Sequence, residues 1–279
     1  MKKLFAIILA SLMCLTAFVG CTSDAGTGAS GADIAEPEVT SDWEYIKEDG
    51  KMVVGMTLFA PMNYYDDNGE FVGFETEFAK AVGEKLGIDV EFVEIDWTTK
   101  EIELAAKSID CIWNGMTITP ERAAAMSIST PYMANKQVLV TKAENAEKYA
   151  TADGLEGAMV VAEAESAGEG VAMGDEFFAK ADYVAVDTMA KALMEVAAGT
   201  ADACVVDYVA SIGMIGEGTD YENLVTVATD DFSPEEYGVA FRQGSDATAV
   251  VNEAMAALAA DGTLNAIGAK YKLDELLLF

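Results

Sequence analysis

From Lys51 onward, short apolar or alternating runs trade places with runs of helical period, stop in one polar stretch, and then begin again. In the first series KMVVGMT reads as a strand, GFETEFAKAVGEKLG as a helix, DVEFVEID as a strand, TKEIELAAKS as a helix and IDCIWN as a short buried strand. The first of these helices gathers Phe74, Phe78, Ala81, Val82 and Leu86 on one face and stops at Gly87, and an Asn68-Gly69 turn signal precedes it. KAENAEKYATADGLEG is polar and turn-rich. Beyond it AMVVAEA, SAGEGVAMGDEFFAK, DYVAV, TMAKALMEVAAG and DACVVD alternate as strand, helix, strand, helix and strand. EEYGVAFR reads as one further strand, ahead of a helix through VVNEAMAALAADG. Strands that alternate with helices pair in parallel, so the fold class is α/β, in two units of about 100 residues each.

The two series echo each other where their buried strands end. KSIDCIWN and GTADACVVD both run from a helix end through Asp and Cys into apolar residues and then a polar one, Asn114 in the first and Asp207 in the second. Open α/β sheets bind ligands outside the carboxyl ends of their strands. Two units facing each other would therefore turn both polar ends into one cleft. Cys111 and Cys204, inside those runs, read as buried thiols acting as small hydrophobes.

The chain begins MKKLFAIILASLMCLTAFVGC, two lysines followed by an uncharged run from Leu4 to Val19. That is a secretory signal, residues 1–20, with an apolar stretch too short for a membrane span. Residues 21–42 are rich in Gly, Ala, Ser and Thr and form a flexible tether. A formal charge of −31 with no histidine argues against nucleic acid and anionic membrane surfaces as partners, and removes the commonest metal ligand and general base. Neither a cofactor nor a metal is expected.

Against that charge, NGMTITPER places one arginine, Arg122, behind a polar loop and a helix start at Pro120. A zwitterionic amino acid needs a carboxylate receptor and an ammonium receptor a few ångströms apart. Arg122 offers the planar fork for the first, Ser166 opens a helix whose N–H groups serve the same end, Asp207 suits the ammonium, and the Thr117 hydroxyl serves either. Taken singly, these residues also read as a surface ion pair, an N-cap and a helix cap, and Phe59 and Trp97 as core.

Together, GKMVVGMTLFAPMNYYDDNGEFVGFETEFAKAVGEKLG, IDCIWNGMTITPERAAAMSISTPYM, GTADACVVDYVAS and EEYGVAFRQGSD resemble the extracellular substrate-binding proteins of polar amino-acid ABC transporters, lipoprotein type. The resemblance implies two lobes, about 43–135 plus 237–279 and about 136–236, joined by two hinge strands and closing on one ligand. It implies that Arg122 clamps the α-carboxylate with help from the N–H groups of Ser166 and Ala167. Gly115 and Asp207 would receive the ammonium, Thr117 would bind through hydroxyl and backbone, and Phe59 and Trp97 would stack on the ligand side chain, with Trp113 and Met116 shaping its pocket. FVGC resembles a lipobox, which makes Cys21 the lipidated first residue of a monomeric protein held on the extracellular face of the cell membrane, with a free amino acid and a membrane permease as partners. The chain departs from the family pattern in a shorter loop from Gly55 to Pro61 and in Glu165, which stands where a glycine usually precedes the helix. With Cys111 and Cys204 in different lobes, both thiols are expected to be free. Two rival readings remain: an enzyme of cyclic amino-acid dehydratase type, with Glu163, Glu165 or Asp207 as its acid, and a sensor acting in trans.

Overall fold

The computed structural model of the chain describes residues 41–229 and 232–279. The signal segment, Cys21 and nearly all of the tether lie outside the described residues. The tether's last two residues, Ser41 and Asp42, belong to the folded body. Ser41 caps α1 (Asp42–Asp49) by accepting from the Glu44 N–H at 3.0 Å, and the Asp42 carboxylate accepts from Arg242 Nε at 2.8 Å.

The first series folds as read. β1 (Lys51–Met56) is followed by the hairpin of β2 (Tyr64–Tyr65) and β3 (Phe71–Val72), then α2 (Phe74–Leu86), which ends at Gly87 with φ 74°. α2 buries Phe74, Phe78 and Val82. β4 (Asp89–Glu94), α3 (Lys100–Ala105), β5 (Cys111–Ile112), α4 (Pro120–Ala125) and β6 (Met126–Ile128) complete it, with β1 parallel to both β4 and β5. The chain then leaves this sheet along β7 (Met133–Lys142). The second series supplies β8 (Met159–Glu163), α5 (Ala167–Gly174), β9 (Asp182–Val186), α6 (Met189–Ala198), β10 (Ala203–Asp207), α7 (Tyr208–Met214) and β11 (Leu224–Thr226). β10, β8 and β9 are parallel neighbours, and β7 runs antiparallel between β10 and β11. β12 (Phe232–Tyr237) pairs β7, and β13 (Ala240–Arg242) returns to the first sheet between β5 and β6; α8 (Ala247–Ala260) and α9 (Thr263–Lys270) close the chain.

Two readings are corrected here. EEYGVAFR is two strands in two sheets, because the chain passes from one to the other at Gly238 and Val239. A Cβ on Gly238 would stand 2.6 Å from Ile128 Cγ2, so only glycine fits the passage. The helix expected over 166–180 ends at Gly174. The Asp175 carboxylate accepts from the Phe177 N–H at 2.8 Å and starts a separate 3₁₀ turn instead. α1 and α9 have no counterpart in the sequence reading, whereas α7 is the helix expected after Asp207.

The sheets are thus linked by two chain crossings lying side by side, with Met133 opposite Tyr237 and the Tyr132 N–H donating to the Tyr237 carbonyl at 3.0 Å. The main apolar cluster runs through them, from Phe74, Phe78 and Trp113 by way of Tyr132 and Tyr237 to Val138, Leu193 and Val206. Cys111 and Cys204 sit in different sheets, fully buried and free, and burial holds both thiols well above their usual titration range. A chain lacking residues 1–20 and carrying Cys21→Ser should not react with a thiol reagent while folded, and should yield two thiols per chain in denaturant. A smaller yield in denaturant would mean that Cys111 and Cys204 had paired.

Candidate functional site

The loop after β5 is fixed before it offers anything to a ligand. Asn114 donates to the Thr57 carbonyl at 2.8 Å and to Asn63 Oδ1 at 2.9 Å, and accepts from the Thr57 hydroxyl at 2.7 Å, so it ties this loop to the one after β1. Gly115 follows at φ 55°, and its N–H donates to Glu75 Oε1 at 2.8 Å. A side chain here would press on the rings of Phe59 (3.1 Å) and Tyr237 (3.3 Å). Thr119 caps α4, with Pro120 as its first residue. Arg122 then turns back, donating through Nη1 to the Thr117 carbonyl and through Nη2 to the Glu165 carbonyl, both at 3.0 Å. Its second bond reaches the loop after β8 and so joins the two sheets.

The second sheet answers with the ends of β8 and β10. Ser166 caps α5 by accepting from the Glu169 N–H at 3.1 Å, while Glu169 accepts from the Glu165 N–H at 2.6 Å. This reciprocal arrangement aims the helix start at the cleft. Glu165 holds φ 58°, the left-handed conformation that favours the glycine usual at this place. Its side chain is 58% exposed and pairs with Lys100 at 3.4 Å. Asp207, at the end of β10, accepts from Gln137 Nε2 and from the Tyr237 hydroxyl at 2.7 Å. The same Gln137 nitrogen reaches Glu235 Oε1 at 2.7 Å, so one amide bridges the buried Asp207 and the half-buried Glu235.

These groups meet around one small, narrow cavity. Trp97, Asn114, Gly115, Thr117 and Arg122 line it from the first sheet's side, and Glu163, Ser166, Ala167, Met189 and Asp207 from the other. It adjoins a wider cleft bordered by Lys100, Glu165 and Glu235. Asn114 and Asp207, the two ends of the echoed segments, do share one cavity.

Of the nine expected ligand residues, seven lie on this wall, and Phe59 and Met116 do not. The loop after β1 folds back through the Phe59–Asn63 bridge, which seats the Phe59 ring in the core beneath Gly115. Met116 points away from its neighbours Gly115 and Thr117, into an apolar cluster with Leu104, Ile109 and Ile112. Trp113 is likewise core, edge-on to Phe78 at 5.2 Å. Sequence reasoning missed Met189 and gave Glu163 a place only as a rival enzyme's acid. Both follow the rule that found the others: each stands at or just past the carboxyl end of a strand.

The electrostatics are dominated by buried acids. Burial first, and the charge of Asp207 second, push Glu163 up to about 8. Burial and then Asp207 push Glu235 to about 8 as well, and burial raises Glu75 to about 7. Asp207 is raised by burial too, with its Tyr237 and Gln137 bonds opposing. Arg122 is held below its usual value by burial and stays charged.

Two α/β sheets linked by paired strand crossings, with a small cavity where strand ends meet, define a two-lobed solute-binding protein of the type II periplasmic class. The chain belongs to the bacterial extracellular solute-binding proteins, family 3, which it matches over residues 52–274. It is 30% identical over 233 residues to the L-cystine-binding protein TcyJ of Escherichia coli strain K12, covering 81% of this chain and 84% of that one. Among solved structures it is similar to Tv2483 bound to L-arginine, with a TM-score of 0.77 and 27% identity over 85% of this chain and 96% of the other. It is also similar to the ancestral amino acid-binding protein AncCDT-1, described as a precursor of cyclohexadienyl dehydratase, with a TM-score of 0.72 and 31% identity over 83% and 99%.

The raised acids set a pH dependence. Glu75, Glu163 and Glu235 keep protons in the folded chain that the unfolded chain releases near 4.5. Their contribution to stability is fully present below that value and is lost as pH rises through about 7 to about 8. Scanning calorimetry of the ligand-free protein should show its unfolding midpoint falling between about pH 5 and about pH 8, with a shallower fall in Glu163→Gln. A midpoint that rises over this window would contradict the burial of these groups.

Proposed function

We propose that this chain captures one α-amino acid in the cavity by closure of two lobes, residues 43–135 plus 237–279 and 136–236, and delivers it to the permease of an ABC transporter. The observation that carries this reading is the pairing, on one small wall, of a cation with a helix N-terminus and of an anion apart from them. Arg122 uses one N–H of each terminal nitrogen on a carbonyl, which fixes its plane and leaves a second N–H on each for a carboxylate. The start of α5 at Ser166 and Ala167 adds its partial positive charge. Asp207 receives the ammonium, with Thr117 and Gly115 beside it. Trp97 and Met189 supply the apolar surface for the side chain. The crossings at 132–133 and 237–239 serve as the hinge, since they are where the chain passes between the sheets.

Relatives named for cystine, arginine, glutamine and histidine binding support a free amino acid as the ligand class. On this reading the protein is a monomeric carrier and not an enzyme. Its signal segment directs it out of the cell, and a lipid on Cys21 holds it by the tether of residues 21–42 to the membrane's extracellular face.

Thermal unfolding against a panel of common amino acids, cystine, sugars and short peptides tests this directly. A ligand at about 100 times its Kd adds about 2.7 kcal/mol, an easily read shift. A shift with free amino acids is expected; none with any of them, after refolding to strip carried-over ligand, would overturn the assignment. Arg122→Ala should weaken binding by about two orders of magnitude or more, since a desolvated charge pair is worth about 2–5 kcal/mol. Unchanged affinity by titration calorimetry would remove Arg122 from the carboxylate's receptor.

A further inference from the structure

The cavity holds one acid more than an amino acid's backbone requires. Its wall carries two carboxyl groups, Glu163 and Asp207, against a single basic side chain, Arg122. The α-carboxylate and α-ammonium, read as above, use Arg122 and Asp207. Glu163 is left over. It is 2% exposed, its Oε1 has no hydrogen-bond partner, and it is on the cavity wall. Asp207 differs in kind, since Gln137 and Tyr237 already donate to its two oxygens.

We propose that Glu163 is the specificity-determining residue of this site and that it selects an α-amino acid whose side chain ends in a cationic nitrogen. This rests on the amino-acid reading and narrows it. A buried carboxyl oxygen without a partner costs free energy in every state in which it stays unpaired, and a ligand donor that reaches it recovers that cost. An apolar side chain leaves Glu163 orphaned, and an acidic one brings a further carboxyl group to a wall that already carries two. A cationic one balances the wall's charges and can lay its methylene stem along Trp97 and Met189.

The charged groups that act on Glu163 are Asp207, Lys100 and Asp96. Lys100 does not fill the cationic position. Its ammonium donates to the Trp97 carbonyl at 3.0 Å, lies 4.9 Å from the centre of that indole and pairs with Glu165, and it borders the outer cleft and not the small cavity. With Glu163 largely protonated near neutral pH, a cationic ligand must expel its proton on binding.

The test is titration calorimetry of the full chain in detergent with two pairs of ligands matched in shape, L-arginine against L-citrulline and L-lysine against L-norleucine. Tighter binding of the cationic member of a pair, by about tenfold or more, is expected, and that preference should collapse in Glu163→Gln while citrulline binding is retained. Repeating the wild-type arginine titration near neutral pH in buffers of different ionisation enthalpy should reveal proton release, and arginine affinity should rise relative to citrulline affinity as pH increases. The proton release needs no variant, so it decides even if Glu163→Gln fails to fold. Binding of the neutral members with equal or greater affinity overturns the proposal and leaves the amino-acid reading standing. A cation preference that survives intact in Glu163→Gln, or binding without proton release, also overturns it. Failure of every amino acid to bind removes both.

Discussion

Two tyrosines placed where the chain passes between its sheets tie each wall of this site to a strand crossing. Tyr132, at the first crossing, donates its hydroxyl to Glu75, and Glu75 in turn accepts from the Gly115 N–H at 2.8 Å. Tyr237, at the second, donates to Asp207 at 2.7 Å. The two rings are 6.4 Å apart and both are fully buried. Each wall of the cavity is therefore tied, through one buried carboxyl group, to a strand crossing: the loop 114–117 through Glu75 and Tyr132, the end of β10 through Tyr237. A rotation about the crossings cannot leave those walls indifferent, because the hydrogen bonds that place them begin at the hinge itself.

That design explains the buried acids. Isolating a carboxylate from water costs several kcal/mol unless donors meet it, and these groups answer partly with donors and partly with a proton. Asp207 and Glu235 share the nitrogen of Gln137, which cannot satisfy two full negative charges at hydrogen-bond distance. Burial and mutual repulsion raise both. The pair behaves as a unit that keeps a proton more readily than either acid would alone in water. The chain's large negative charge is thus partly cancelled at its centre, where Arg122 is the one basic side chain on the cavity wall.

Much of this was legible in the sequence, for reasons that are local. The face of α2 follows from its period, the start of α4 from Thr119 and Pro120, and the cleft-facing ends of β5 and β10 from two apolar runs closing on Asn114 and Asp207. What was not legible depends on residues distant in the chain. EEYGVAFR alternates like one strand, and only its partners, β7 for one half and β5 and β6 for the other, divide it between sheets. Phe59 and Met116 belong to the loops that make the site, but the fold of each loop turns their side chains into the core. Glu163 lay in plain view inside AMVVAEA. Nothing in that run says that no donor reaches it.

Glu165 shows how the two halves of the site constrain each other. A residue with a side chain at φ 58° costs about 1 kcal/mol relative to glycine, and this one gains nothing from burial, being 58% exposed. Its contribution is through the backbone and an ion pair with the buried Lys100. The carbonyl receives Arg122 from the other sheet, the N–H engages the cap of α5, and the carboxylate meets Lys100 across the cleft mouth. An arginine that bridged the sheets with no fixed acceptor would lose its plane. The strained turn at Glu165 therefore holds one of the two carbonyls that orient Arg122, and the cap of α5 is the very next residue. Strain of this size persists where several bonds converge on the strained position, and here they come from α4, α5 and the Lys100 side chain together.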